Sequence, residues 1–126
     1  MPSDLTLDAW RALLRVGVQW NSEVTLDTSG HCVTQVYCSA VPVAYSRCSS
    51  AEWEPLARLV LEAAYEATLA VGVLNAASTG NNTVYLTALG GGAFGNNRSW
   101  IDAAIDRALT LFAGTELDVV MVSFGR

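Results

Sequence analysis

The chain has 126 residues, a length typical of one domain, and we expect residues 1–126 to form a single domain. It is 52% hydrophobic and 15% charged, which excludes a disordered chain because so much apolar surface favours a buried core. All seven basic residues are arginines and the formal net charge is -5. Nucleic acid is therefore not an expected partner, since its binding depends mainly on phosphate neutralisation.

The longest apolar segments are interrupted by Glu62, Glu66 and Asn75. None of them offers the roughly 20 uninterrupted apolar residues of a membrane-spanning helix. The N-terminus carries Asp4 and Asp8, where a secretory signal would be basic. We therefore expect a cytoplasmic protein that has no membrane partner.

Three cysteines and one histidine are present, and their spacing does not match that of a metal site. Cys32, Cys38 and Cys48 form no metal-ligand pair, and His31 follows a turn-rich cluster. We expect the cysteines to be small buried hydrophobes and His31 to lie on a surface turn. No metal and no resident cofactor is predicted.

The first third of the chain predicts a short helix and then a hairpin. Apolar residues recur at helical spacing from Thr6 or Asp8 onward, and the alternation over residues 14–20 is typical of a half-buried strand. Residues 23–26 and 32–38 flank a turn-rich cluster, which favours two paired strands.

A long helix is predicted after Ser49, which fits a capping box with Glu52. Pro55 favours a regular start nearer Trp53, and the composition of residues 75–82 predicts a loop. We expect the core face to be the stripe Leu56, Val60, Ala63, Ala67, Ala70 and Leu74. Glu62 and Glu66 lie one turn apart, as on a solvated face or, less commonly, in a functional carboxylate pair.

The last third predicts a strand, a helix and a second strand. Residues 83–89 and 117–124 are apolar strands of the kind covered on both faces, and the helix between them begins at Asn97 or Ser99 and ends at Gly114. This order is typical of parallel strands. The predicted fold class is α/β, with a mixed, mostly parallel sheet flanked by helices.

A glycine-rich turn joins the first of these strands to the helix. Glycine allows close approach of a ligand, and the first amides of a helix point at it, so the turn is a natural anion cradle. The alternative is a tight turn that only packs the helix against the sheet. Residues 90–95 satisfy GxGxxG, but the only acid of the following strand, Asp118, lies at its beginning and not at its end, which argues against a dinucleotide site. A nucleoside-triphosphate loop is excluded because no Gly-Lys-Ser/Thr follows.

The segment from Trp53 to Gly125 resembles the C-terminal half of macrodomains, most closely the poly(ADP-ribose) glycohydrolase branch. The resemblance is strongest at residues 89–95 and 122–125. It implies that residues 91–95 wrap the diphosphate of ADP-ribose through backbone amides, that Phe94 covers the distal ribose and that Phe124 lies beside the adenosine. The ligand-binding residues implied are Gly90, Gly91, Gly92, Ala93, Phe94, Gly95, Asn96 and Phe124.

The resemblance leaves catalysis open. The family's glycohydrolases carry an earlier glycine-rich loop with adjacent glutamates, which has no match upstream of Trp53, and Ala88 stands where their pattern has asparagine. The chain is then a binder of ADP-ribose or ADP-ribosylated protein, an enzyme with relocated acids, or a partial domain completed by a partner chain or a second copy. The carboxylates to test first are Glu23, Asp27, Glu52 and Glu54.

Overall fold

A computed structural model describes residues 3–26 and 30–123, and within these ranges the chain forms three α-helices and two small sheets. The helices are α1 (Asp4–Arg11), α2 (Ser50–Thr79) and α3 (Arg98–Leu111). The strands are β1 (Gly17–Glu23), β2 (Cys32–Tyr37), β3 (Thr83–Leu86) and β4 (Asp118–Met121). A short 3-10 turn, Val43–Tyr45, precedes α2.

The two sheets differ in strand direction. β1 and β2 form an antiparallel hairpin, whose first strand is Gly17–Glu23 and not residues 23–26 as predicted. β3 and β4 pair in parallel on either side of α3 in sequence. The hairpin and the strand-helix-strand unit are therefore confirmed, and the chain is a small mixed α/β protein. The expectation of one mostly parallel sheet is not met, because no described strand pairs across the two sheets.

α2 begins where its capping box predicts and ends later than expected. Ser49 Oγ accepts from the Glu52 N–H, and the Glu52 carboxylate accepts from the Ser49 N–H, so the helix starts at Ser50 and not near Trp53. It continues to Thr79, so the loop predicted from residue 75 is wrong over its first five positions. The stop is Gly80, whose left-handed φ of 79° closes the helix with a bond to the Ala76 carbonyl.

The other element ends differ by a few residues from the sequence prediction. α1 starts earlier, at Asp4, because Ser3 caps it through the Thr6 N–H. α3 ends at Leu111 and not at Gly114, with Phe112 as its cap. β3 and β4 are shorter than the apolar runs that predicted them, because pairing stops at Leu86 and Met121.

The core lies between α2, α3 and one face of β3. Its fully buried large side chains are Leu61 and Leu69 of α2 and Ile101 of α3. The stripe predicted for α2 is wrong at its ends, since Leu56 is 48% exposed and Leu74 is 59% exposed. The residues of α2 that belong to the core cluster are instead Ala57, Leu61, Tyr65 and Leu69.

Only one face of the parallel sheet is covered by the described residues. Leu86 points into the core and is 3% exposed, whereas Tyr85 on the opposite face is 69% exposed. The expectation of strands buried on both faces is therefore wrong, although the side chains of β3 and β4 are mostly apolar. α2 approaches the covered face closely, because a Cβ on Gly72 would lie 2.7 Å from Val84 Cγ2.

Glu62 and Glu66 each bind an arginine from another helix, so they do not form the purely solvated face that is the commoner arrangement. Glu62 binds Arg11 of α1 at 2.9 Å, and Glu66 binds Arg107 of α3 at 3.0 Å, while Asp8 joins both arginines. Burial lowers the pKa of Arg11, but its hydrogen bonds with Glu62 and Asp8 outweigh that effect and raise it. The two glutamates thus fasten α1 and α3 to α2.

α2 is long and apolar enough to cross a membrane when judged by length and composition alone. The interruptions at Glu62 and Glu66 do not prevent this, contrary to the expectation from sequence. The core helix of a soluble protein passes the same test, and 39% of the apolar window of α2 is buried against the rest of the chain. The absence of a membrane partner stays a prediction.

The cysteines are more exposed than predicted. Cys32 and Cys48 are exposed, so the expectation of buried hydrophobes is wrong for both, and all three thiols are free. Cys38 is partly buried, and burial raises its pKa in spite of a hydrogen bond with Thr68. His31 is exposed, as expected of a turn residue.

Candidate functional site

The glycine loop lies between β3 and α3 and is folded by its own backbone. Gly90 and Gly95 have positive φ angles of 75° and 72°, which other residues rarely adopt. The Gly95 N–H donates to the Gly92 carbonyl at 3.0 Å, and the Asn96 N–H donates to the Gly90 carbonyl at 2.9 Å. These bonds close the loop on itself, so the N–H groups of Gly95 and Asn96 are not available to a ligand.

The ends of the loop are packed against residues 40–45. A Cβ on Gly90 would lie 2.3 Å from Ala40 Cβ, and one on Gly95 would lie 2.8 Å from Ala44 Cβ. The Ala44 N–H donates to the Phe94 carbonyl at 2.9 Å, which fixes the second end. Close packing and backbone conformation are therefore enough to require glycine at positions 90 and 95.

Asn96 holds the loop to residues 40–45 from within. It is 5% exposed, and its amide nitrogen donates to the Val41 carbonyl at 2.9 Å and the Gly90 carbonyl at 3.1 Å. Its buried Oδ1 has no hydrogen-bond partner among the described residues. The structure thus gives Asn96, a predicted ligand contact, a fastening role inside the protein.

Tyr65 of α2 fixes the start of the loop. Its hydroxyl donates to the Thr87 carbonyl and accepts from the Leu89 N–H at 2.9 Å. Burial raises the pKa of Tyr65, and the bond from Leu89 opposes this in part. The phenol therefore stays neutral and serves as donor and acceptor at once.

The middle of the loop, Gly91, Gly92 and Ala93, is exposed, and we call these three residues the crown. A Cβ added at Gly92 meets no atom within 4 Å. The N–H groups of Gly92 and Ala93 have no acceptor among the residues that the structure describes. The crown is the part of the loop that can bind an anion through its backbone.

Phe94 and the first turn of α3 complete the loop. Phe94 is half-buried and meets Tyr45 edge to face, with ring centroids 5.9 Å apart. Asn97 caps α3 and accepts from the Ser99 N–H, as expected. Arg98, at the first helical position, pairs with Asp102 at 2.9 Å and keeps an exposed guanidinium.

A cavity of about 570 Å³ lies at the carboxyl ends of β3 and β4. It is lined by Thr87, Ala88, Arg98, Met121, Val122 and Ser123. Ligands of open α/β sheets bind at this end of parallel strands. None of residues 90–96 lines the cavity, although Ala88 and Arg98 on either side of the loop do. Sequence reasoning named Ala88, and Val122 and Ser123 fall in the segment 122–125 that it singled out. It missed Thr87 and Met121, which the carboxyl ends of the two predicted strands could have indicated.

The three described carboxylates considered for catalysis do not form a group at the glycine loop or in the cavity. Glu52 is used in the cap of α2, Glu54 pairs with Arg58, and Glu23 is exposed at the end of β1. Among the described residues, no aspartate or glutamate lines the cavity at the strand ends. Asp27 and Phe124 lie outside the described residues.

Metal-ligating side chains do not cluster in the part of the chain that the structure describes, where no three histidine, cysteine, aspartate or glutamate side chains could hold an ion. Comparisons with family models, with curated proteins and with solved structures gave no significant match. The geometry of the loop and of the cavity is therefore what bears on function.

Proposed function

We propose that the chain binds ADP-ribose, free or attached to a protein, at the crown of the glycine loop and in the cavity beside β3 and β4. The observation that carries this proposal is the pair of free N–H groups at Gly92 and Ala93, held by a loop whose ends are fixed. A backbone site of this kind suits a diphosphate on a chain with a net charge of -5, because it needs no basic surface.

The remaining chemistry of the region fits the other parts of the ligand. Arg98 lines the cavity and supplies a charge-assisted contact to phosphate, shared with its partner Asp102. Met121 and Val122 offer apolar surface to a nucleoside. Phe94, held at the loop by Tyr45, offers a ring face to a sugar.

The positions of the described carboxylates favour binding of ADP-ribose without hydrolysis. Cleavage of an ADP-ribosyl linkage needs an acid within hydrogen-bond reach of the leaving oxygen. The described carboxylates considered for that role have other partners or lie at the end of β1, and the cavity lining holds none. We therefore expect the protein to act as a reader of the modification.

Titration calorimetry with ADP-ribose tests the binding proposal. Heat that saturates at one ligand per chain, with a dissociation constant below about 1 mM, is expected. Absence of both heat and thermal stabilisation at that concentration would contradict it. Incubation with ADP-ribosylated protein tests the second part, since we expect the label to persist, and its release would show a hydrolase.

A second candidate function is that of an interaction module completed by a partner chain. The specific observation that favours it is the gap between the two small sheets, which leaves one edge of β2 and one edge of β3 without a strand partner among the described residues. This function and ADP-ribose binding use different parts of the molecule.

A further inference from the structure

A cleft of about 370 Å³ separates the two sheets, and we call it the intersheet cleft. Val36 of β2 and Tyr85 of β3 stand on its two walls, and residues of α2 such as Ala64 and Val71 form its floor. It lies apart from the cavity at the strand ends, with Thr87 as the one residue that lines both. The cleft is therefore a separate feature from the proposed ADP-ribose site.

The edge of β3 that is not paired with β4 borders this cleft. The Asn82 and Leu86 carbonyls accept from Asp118 and Val122, so alternation in a parallel pair directs the backbone groups of residues 82, 84 and 86 at β4. The backbone groups of residues 83, 85 and 87 then point away from β4. The ends of this edge are satisfied, since Asn81 accepts from the Thr83 N–H and the Thr87 carbonyl accepts from Tyr65. Between them, the N–H and C=O of Tyr85 have no partner among the described residues.

The edge of β2 that is not paired with β1 borders the cleft from the other side. The bond from the Val24 N–H to the His31 carbonyl sets the alternation, so Val33 and Gln35 direct their backbone groups at β1. Thr34 and Val36 both line the cleft, and their backbone groups point away from β1. These backbone groups also have no partner within the described ranges.

The described side chains of the cleft favour an uncharged occupant, because they offer a charged one no ion-pair partner. Among the described residues that line it, there is no aspartate, glutamate, lysine, arginine or histidine. Several polar groups on the floor already have partners, because Thr68 donates to the Ala64 carbonyl and Asn75 accepts from Thr34. What the cleft offers is an apolar floor between the open backbone groups of Tyr85 on one side and those of Thr34 and Val36 on the other.

We propose that the intersheet cleft binds an extended, uncharged segment of a partner protein, which pairs with the open edge of β3 at Tyr85 and joins the two sheets. The open groups of Thr34 and Val36 lie two residues apart on β2, about 7 Å, and an extended backbone repeats its own donors and acceptors at that interval. Unpaired edges are the usual sites of strand addition. Small apolar side chains on alternate residues of the segment face the α2 floor.

The test uses a blocked, uncharged hexapeptide of alternating threonine and valine as the probe. We expect binding with a dissociation constant below about 1 mM, with the amide of Tyr85 exchanging at least about tenfold more slowly in the complex. N-methylation of every second residue removes all N–H groups along one edge of the probe. Two such peptides are possible, one methylated at the odd and one at the even positions. At least one of them should bind about tenfold more weakly than the unmodified hexapeptide, because strand pairing needs those N–H groups.

Two variants of Tyr85 give a matched pair. Tyr85→Pro removes the N–H that points into the cleft while the ladder with β4 uses the neighbouring residues, and Tyr85→Ala keeps that N–H without the ring. We expect Tyr85→Ala to bind the probe and Tyr85→Pro to lose it, with the Leu86 amide still protected in both as a check on folding.

Three results would overturn the proposal: no change in exchange at Tyr85, binding of both N-methylated peptides as tight as that of the unmodified hexapeptide, or closure of the cleft by dimerisation of the chain itself. The proposal is independent of the ADP-ribose site. Gly92→Val should therefore bind the hexapeptide as the unmodified chain does, whatever its affinity for ADP-ribose.

Discussion

Glycines occur both at the ends and in the crown of the glycine loop, but their surroundings differ. Gly90 and Gly95 have left-handed backbones and touch Ala40 and Ala44, so no side chain fits at either position. Gly92 has open space on its Cβ side and free amides beside it. A run of glycines in one motif can therefore combine positions required for folding with a position available to a ligand, and substitution separates the two.

Gly90→Val should have the largest effect on stability. The side chain would meet Ala40 Cβ at 2.3 Å, and a β-branched residue is strained at a φ of 75°. Backbone strain and overpacking together predict a loss of about 3–5 kcal/mol in the free energy of unfolding. Denaturant unfolding measures it, with Gly92→Val as the matched control, and equal stability of the two variants would contradict the division of the loop into ends and crown.

Asn96→Ala should have the next largest effect, a loss of about 2–4 kcal/mol in the free energy of unfolding, because the Val41 and Gly90 carbonyls both lose a buried donor. Asn96→Asp keeps the shape but replaces the donor by a carboxylate, so it should not restore stability at neutral pH. Full stability of Asn96→Asp would show that the two hydrogen bonds do not fasten the loop.

Tyr65→Phe should cost about 1–2 kcal/mol at pH 7, since the hydroxyl bonds to Thr87 and Leu89 are lost while the ring stays. Burial raises the pKa of Tyr65 above its ordinary value of 10.0, so folding favours the protonated phenol. This stabilisation is fully present below about pH 10 and is lost as the pH rises through the raised pKa of the folded state. The difference between Tyr65→Phe and the unmodified chain should therefore shrink above pH 10, and a difference that grows there would contradict the assignment.

The order of elements in the last third could be predicted from the sequence because it depends on local signals. The apolar runs around the glycine loop and the cap at Asn97 indicate a strand-helix-strand unit by themselves. Gly80 is also a local signal for the end of α2, but the polar composition of residues 75–79 led to the prediction of a loop that starts five residues too early.

The role of Asn96 could not be predicted, because its partner Val41 lies 55 positions earlier in the chain. The same holds for the ion pairs of Glu62 and Glu66, whose arginines come from α1 and α3. The separation of the two sheets is likewise a property of tertiary packing, and no strand pattern in the sequence distinguishes an open edge from a paired one.

Gly92→Val should have the smallest effect on stability, within about 0.5 kcal/mol, since its side chain enters open space. It should nevertheless block the approach of a diphosphate to the crown amides. Gly114→Val is the matched control, because Gly114 also has no atom within 4 Å of an added Cβ and lies in the turn after α3.

The most direct test of the central claim is therefore a calorimetric titration of ADP-ribose into three proteins: the unmodified chain, Gly92→Val and Gly114→Val. The account predicts saturable binding to the unmodified chain and to Gly114→Val, with binding to Gly92→Val at least about tenfold weaker at unchanged stability. Equal affinity of all three proteins, or binding by none of them, would contradict it.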